Sequence, residues 1–157
     1  MSINIQSEAE PYIKHYMISG QDLTRPWGGF YYIDNKDLNK FVMEYFRGVV
    51  VNTKMQISPK ILVISPRKRL SWQYHNRRRE IWSVLVGPVG IIRSNTDREG
   101  DMNVANAGDI IIIEQEERHR IVGLDTYAVV AELWCHTNLD NPSDESDIIR
   151  LQDDFKR

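Results

Sequence analysis

The stretch that most constrains the fold lies between Val49 and Trp134. Short β-branched and aromatic runs follow one another there: "VVVNTKMQI", "KILVIS", "LSWQYH", "IWSVLVG", "VGIIRS", "MNVANA", "DIIIIE", "RHRIVG" and "TYAVVAELW", punctuated by Pro, Gly, Asn and Asp. A spacing of about ten residues suits antiparallel strands joined by turns and leaves no length for the helical crossovers of a parallel sheet. The expected fold class is all-β, a sandwich or jelly roll. With 157 residues, 41% of them hydrophobic, the chain can close one core without staples.

Upstream, "RPWGGFYYI" breaks any helix with its proline and paired glycines and predicts a strand from about Gly29. Leu38, Phe41, Val42 and Tyr45 recur at helical spacing behind an Asn35 cap and ahead of Gly48, so one short helix is expected over about residues 36–47. Residues 1–24 read as an N-terminal arm and 25–157 as a single domain. The polar tail carries Ile148, Ile149, Leu151 and Phe155, which suit a short helix pinned to the barrel.

Composition narrows the function. The chain has 20 basic and 22 acidic residues, a net charge of −2, which argues against a nucleic-acid or membrane-surface partner. Cys135 is the only cysteine, so there is no intrachain disulfide and no thiolate zinc cluster, as in a reducing compartment. No apolar run approaches the roughly 18 residues of a spanning helix, and a soluble, cytoplasmic protein is expected.

Chemistry concentrates in "LSWQYHNRRREIW". Alternation along a strand puts Ser71, Gln73 and His75 on one face, and a turn through Asn76–Arg79 returns Glu80 beside them in a hairpin. Downstream, the strand "DIIIIE" turns through a polar loop and delivers His119. Two imidazoles, one carboxylate and one amide oxygen suit a borderline divalent ion with open positions for water or substrate. Trp27 and Trp82 read as packing residues, and His15 and His136 fall outside the spacing.

These residues resemble the cupin family. In the family's first motif a glycine precedes His-x-His, Glu and a second glycine; here Arg67, Gln73, His75, Glu80 and Gly87 stand in those positions. In the second motif Gly108, Glu114, Glu116, His119 and Gly123 occupy the corresponding places, so Glu114 and Glu116 replace a proline and a glycine. Leu70, Ser71, Gln73, His75, Arg78, Glu80 and Trp82 together resemble the type II phosphomannose isomerase branch, as do "RPWG" at 25–28, Lys60, Glu132 and the closing "DIIRLQDDFKR". The resemblance covers most of the chain from about residue 25 on. The usual Gly-x-Tyr-x-Gly-Glu-Asp run is missing from 135–146, and replaced turn residues put the shape of both motif loops in question.

The resemblance implies a cupin double-stranded β-helix and a metal on Gln73, His75, Glu80 and His119: zinc first, with cobalt, nickel or manganese as alternatives. It implies aldose–ketose isomerisation of mannose 6-phosphate through an enediol. Arg78, Lys60 and Glu132 are the catalytic candidates, and Arg78, Arg150 and Ser71 the substrate-binding ones. A sugar phosphate is the expected small-molecule partner, and exposed barrel edges together with the aromatic "GGFYYI" strand predict a homodimer formed by strand exchange or sheet packing. Guanylyl transfer is not expected, since these residues hold no glycine-rich nucleotide loop. The alternative is a non-catalytic metal cupin that binds a sugar phosphate or nucleotide sugar; an oxygenase is less favoured because glutamine replaces a histidine.

Overall fold

The computed structural model describes residues 2–52 and 54–156. Helix α1 spans Ser2–Ile13 and helix α2 Leu38–Tyr45. The strands, in chain order, are β1 Ile18–Arg25, β2 Gly28–Ile33, β3 Ile57–Ile64, β4 Trp72–Tyr74, β5 Arg78–Val86, β6 Val89–Ser94, β7 Met102–Ala105, β8 Ile110–Ile113, β9 Arg118–Val122, β10 Ala128–His136 and β11 Ile149–Gln152. They form two antiparallel sheets, one ordered β1-β2-β3-β10-β5-β8 and the other β11-β4-β9-β6-β7. No helix among the described residues is long and apolar enough to cross a membrane.

Sheet-to-sheet packing explains the composition of the central strands. Leu62 and Ile64 of β3, Trp82 and Val84 of β5 and Val130 of β10 turn inward to meet Ile91 and Ile121 of the second sheet. Their neighbours Ile61, Val63, Ile81, Val129, Ala131 and Leu133 turn outward and are covered by Ile5, Ala9 and Ile13 of α1 and Phe41 of α2. A strand covered on both faces is apolar throughout. Polar interruptions on its inner face therefore mark the site.

Several expectations need correction. The segment read as an N-terminal arm supplies, from residue 2 on, α1 and most of β1, and the buried stripe Ile5, Ala9, Ile13 at four-residue spacing holds α1 on the sheet despite Pro11 in its last turn. Among the described residues of "VVVNTKMQI", only Ile57 lies in a strand. Asn52 turns the chain by accepting bonds from Lys54 N and Met55 N, and Val50 is exposed. The tail forms strand β11 against β4 rather than a helix, fixed by Arg69 gripping Asp154 at 2.6 and 2.9 Å and by buried Arg120 on Gln152. The "GGFYYI" strand is β2, paired with β1 on one side and β3 on the other. The expected helix is present as α2, but its lead-in is a 3₁₀ turn over Asn35–Asp37 capped by Asp34, not Asn35.

Both loops that lack the family's glycines keep a glycine-like backbone. Arg67 has φ 59° and Glu116 φ 66°, in the left-handed region that L-residues adopt at a cost of about 1–2 kcal/mol. Glu116 N donates to His75 O at 2.9 Å, which ties the two motif loops together. Replacing Glu116 by Gly is expected to raise the unfolding free energy by about 0.5–1 kcal/mol, and Phe41→Ala, which empties a fully buried site, to lower it by about 3–5 kcal/mol. Denaturant titration checks both.

Candidate metal centre

His75 and Glu80 do not sit in one hairpin, as the sequence suggested. Strand β4 belongs to the five-stranded sheet and β5 to the six-stranded one, so residues 75–77 carry the chain across the sandwich. The same crossing occurs between β8 and β9, which delivers His119. The donor groups therefore face one another from opposite walls of the barrel.

Asp147 sets the first crossing. Its buried carboxylate accepts from Asn76 N at 3.1 Å, Arg77 N at 3.0 Å and Ser143 Oγ at 2.6 Å, and its backbone carbonyl accepts from His75 Nδ1 at 3.1 Å. His119 Nδ1 donates to Glu117 O at 2.8 Å. A carbonyl only accepts, so both rings carry a proton on Nδ1 and turn Nε2 toward the centre. The two Nε2 atoms stand 3.2 Å apart. Glu80 approaches both, Oε1 at 3.1 Å from His75 Nε2 and Oε2 at 3.6 Å from His119 Nε2. All three residues are buried.

Lone pairs converging at that distance repel unless a cation lies among them. Two nitrogens each about 2.0–2.1 Å from one ion, at bond angles of about 90–110°, are separated by about 2.9–3.4 Å. The observed spacing fits, and the His75–Glu80–His119 ligand atoms all lie within 4.8 Å of one another. Burial pulls His119 down to about 4, so its ring is neutral at physiological pH, as a ligand must be. Burial alone would raise Glu80, but the neighbouring His75 ring and the charge on Arg78 outweigh it and keep the carboxylate ionised. Gln73 pairs in register with His119 and with Arg150, which places all three on the inward face, and it lines the cavity beside the triad with Ser71.

Arg78 lies inward and buried. Nε donates to Glu80 Oε1 at 2.9 Å and one Nη to Ser143 Oγ at 2.8 Å, while the other Nη lies 3.2 Å from His75 Nε2, beside the lone pair directed at the centre. Its charge supports the centre, and its Nε and one Nη are already engaged. Arg77 and Arg79 alternate outward to Asp144 and Glu114.

The remaining wall comes from β3 and β10. Lys60 faces Glu132 in register across that pair. Trp82 Nε1 bridges Glu80 Oε2 at 3.1 Å and Glu132 Oε2 at 2.9 Å, while Trp134 Nε1 donates to Glu132 Oε1 at 2.8 Å. Burial, with help from the charge on Glu80 and against that on Lys60, pushes the Glu132 carboxyl up to about 8; burial also lowers Lys60. Lys60 Nζ and the Arg78 guanidinium both lie 3.5 Å from the centroid of the Trp134 ring. Trp134, Asp147 and Ser143 were missed from the sequence. Alternation from Glu132 to Trp134 and His136 was the available signal for the first; Asp147 was visible only as part of the closing motif. His136 bonds Ser58 Oγ and Ser143 N, a structural role.

Neither a family model nor a curated protein matches the sequence. Solved structures do resemble the fold. A mutant of Bacillus subtilis oxalate decarboxylase aligns with TM-score 0.61 and 13% identity over 84% of this chain and 30% of that one. Vicilin from hazelnut (Corylus avellana) aligns at 0.57 and 15% over 84% and 34%, and a cupin 2 conserved barrel domain protein from Salinispora arenicola at 0.50 and 15% over 74% and 82%. The chain thus spans about a third of the first two and most of the third. At these identities the likeness establishes the fold, a cupin barrel. On its inner wall His75, Glu80 and His119 form a donor set of the kind that could hold a divalent ion.

Elemental analysis of the purified chain is expected to find one divalent ion per chain, absent from His119→Ala. Asp147→Ala, which touches no donor atom directed at the ion but frees the 75–77 crossing and the His75 Nδ1 partner loop, is expected to weaken metal affinity about 10–100-fold in a chelator competition.

Proposed function

We propose that the chain is a metal-dependent aldose–ketose isomerase for a sugar phosphate, of the mannose 6-phosphate to fructose 6-phosphate type. The observation that carries the reading is the pairing, on one cavity wall, of the Glu132 carboxyl with Lys60, facing a centre made of His75, Glu80 and His119 with Gln73 alongside. A divalent ion there supplies the electrophile that polarises the substrate's carbonyl and hydroxyl oxygens. Glu132, in its ionised form, takes the proton from C2 of the aldose, exchanges it with solvent and gives a proton to C1, and a proton passes from the C2 hydroxyl to O1, with Lys60 the adjacent carrier. Atoms balance, and no redox partner is needed. Trp82 and Trp134 hold the carboxylate in place through their indole N–H groups, and Arg78 keeps Glu80 ionised and directed at the ion.

A second reading, a non-catalytic cupin that binds a sugar phosphate or nucleotide sugar, is favoured by the size of the inner cavity. It encloses about 60 Å³, space for about four to six water-sized groups and less than a hexose phosphate. The reacting end fits there; the remainder must lie outside.

Metal-loaded protein mixed with mannose 6-phosphate in D₂O is expected to yield fructose 6-phosphate with deuterium at C1, read by NMR. Glu132→Gln is expected to lower kcat by about 10²–10⁴-fold with metal content retained. Saturable binding without turnover under zinc, cobalt, nickel and manganese would replace the isomerase by the binding module.

A further inference from the structure

The inner cavity and a groove outside it share a wall. The groove, lined by Tyr32, Ser58, His136 and Ser143, holds about 370 Å³, and Trp134 and Glu145 border both spaces. Trp134, on β10, has Lys60 Nζ and the Arg78 guanidinium each 3.5 Å from its ring centroid. Glu145 belongs to the connection between β10 and β11, and its side chain is 43% exposed.

The base of that connection is tightly bonded through Ser143 and Asp147, but its tip is not. The Glu145 carboxylate lies 3.6 Å from Lys60 Nζ, 3.8 Å from an Arg25 Nη and 3.4 Å from Tyr32 Oη. Charge-assisted hydrogen bonds run at about 2.7–2.9 Å, so three donors converge on an anion that satisfies none of them closely. Lys60 is only 3% exposed, set among the rings of Phe30, Tyr32 and Trp134 at 4.6, 4.7 and 3.5 Å. Arg25 Nε pairs with Asp22 at 3.0 Å, which leaves an Nη facing the same point. A carboxylate offers two oxygens to these three groups. A phosphoryl group offers three, and its larger radius and second charge match the gap and the two cations.

We propose that Arg25, Lys60 and Tyr32 form a phosphoryl subsite and that the Glu145 carboxylate is its internal occupant, displaced when a phosphate monoester binds. The proposal rests on the sugar-phosphate reading above and moves the phosphate away from Arg78, whose Nε and one Nη are engaged. Displacement of Glu145 also removes its part of the wall between cavity and groove, beside Trp134, which gives the body of the substrate a place while its reacting end reaches the metal centre.

The test titrates the full, metal-loaded chain with inorganic phosphate and, separately, with acetate, by calorimetry, with metal content measured in every variant. Glu145→Gln is expected to bind phosphate about tenfold tighter than the wild type, the order expected when one competing charge-assisted contact is removed. Adding Arg25→Gln to that variant is expected to erase the gain, and acetate is expected to gain less than about threefold. Unchanged phosphate affinity in Glu145→Gln overturns the proposal, as does affinity indifferent to Arg25, the result for phosphate held by the metal alone. An equal gain for acetate overturns the phosphoryl assignment in favour of a carboxylate site. Should the Arg25 variant lose metal or cooperative unfolding, Tyr32→Phe replaces it, with an expected loss of about threefold. Phosphate binding that follows this pattern without mannose 6-phosphate turnover sinks the isomerase and leaves the subsite standing; turnover with Glu145 and Arg25 irrelevant does the reverse.

Discussion

Everything in the site depends on two imidazole nitrogens held 3.2 Å apart with their other ring nitrogens committed to backbone carbonyls. That arrangement is unfavourable for a bare pair of neutral rings and favourable around a cation, and the backbone enforces it. Asp147 fixes one ring through the 75–77 crossing, the Glu117 carbonyl fixes the other, and the bond from Glu116 N to His75 O ties the two loops. Metal affinity here is a property of two inter-sheet crossings before it is a property of four side chains.

The fold was legible because period-two runs and turn residues recur from "KILVIS" to "TYAVVAELW", and β3 to β10 follow them closely. What escaped reading has specific causes. The α1 stripe of Ile5, Ala9 and Ile13 was hidden by Pro11 and by polar neighbours, although the four-residue spacing was present. "VVVNTKMQI" carries strand propensity in its valines, yet the Asn52 turn and the exposure of Val50 prevailed, as tertiary context often does over β-propensity. Four donor positions could be picked out by spacing, but the reason they meet could not: a hairpin and an inter-sheet crossing look alike when only a polar turn is visible.

Spacing also misrepresented the two motif loops. Arg67 and Glu116 stand where a glycine would announce a left-handed backbone, and both adopt it nonetheless. A pattern that searches for glycine loses this chain, while the conformation that the pattern stands for is kept. The strain is held in place because the loop ends are pinned, Arg67 N to Leu124 O and Glu116 N to His75 O.

Strand β10 has eight of its nine residues buried and is flanked on both edges and both faces. Its backbone amides should therefore be among the last in the molecule to exchange with solvent, opening only when the whole domain does. Glu132 and Trp134 ride on that strand. Heat or denaturant would thus leave their positions intact until the fold itself gives way, and gradual softening of the site with temperature would have to originate in the connection that carries Glu145.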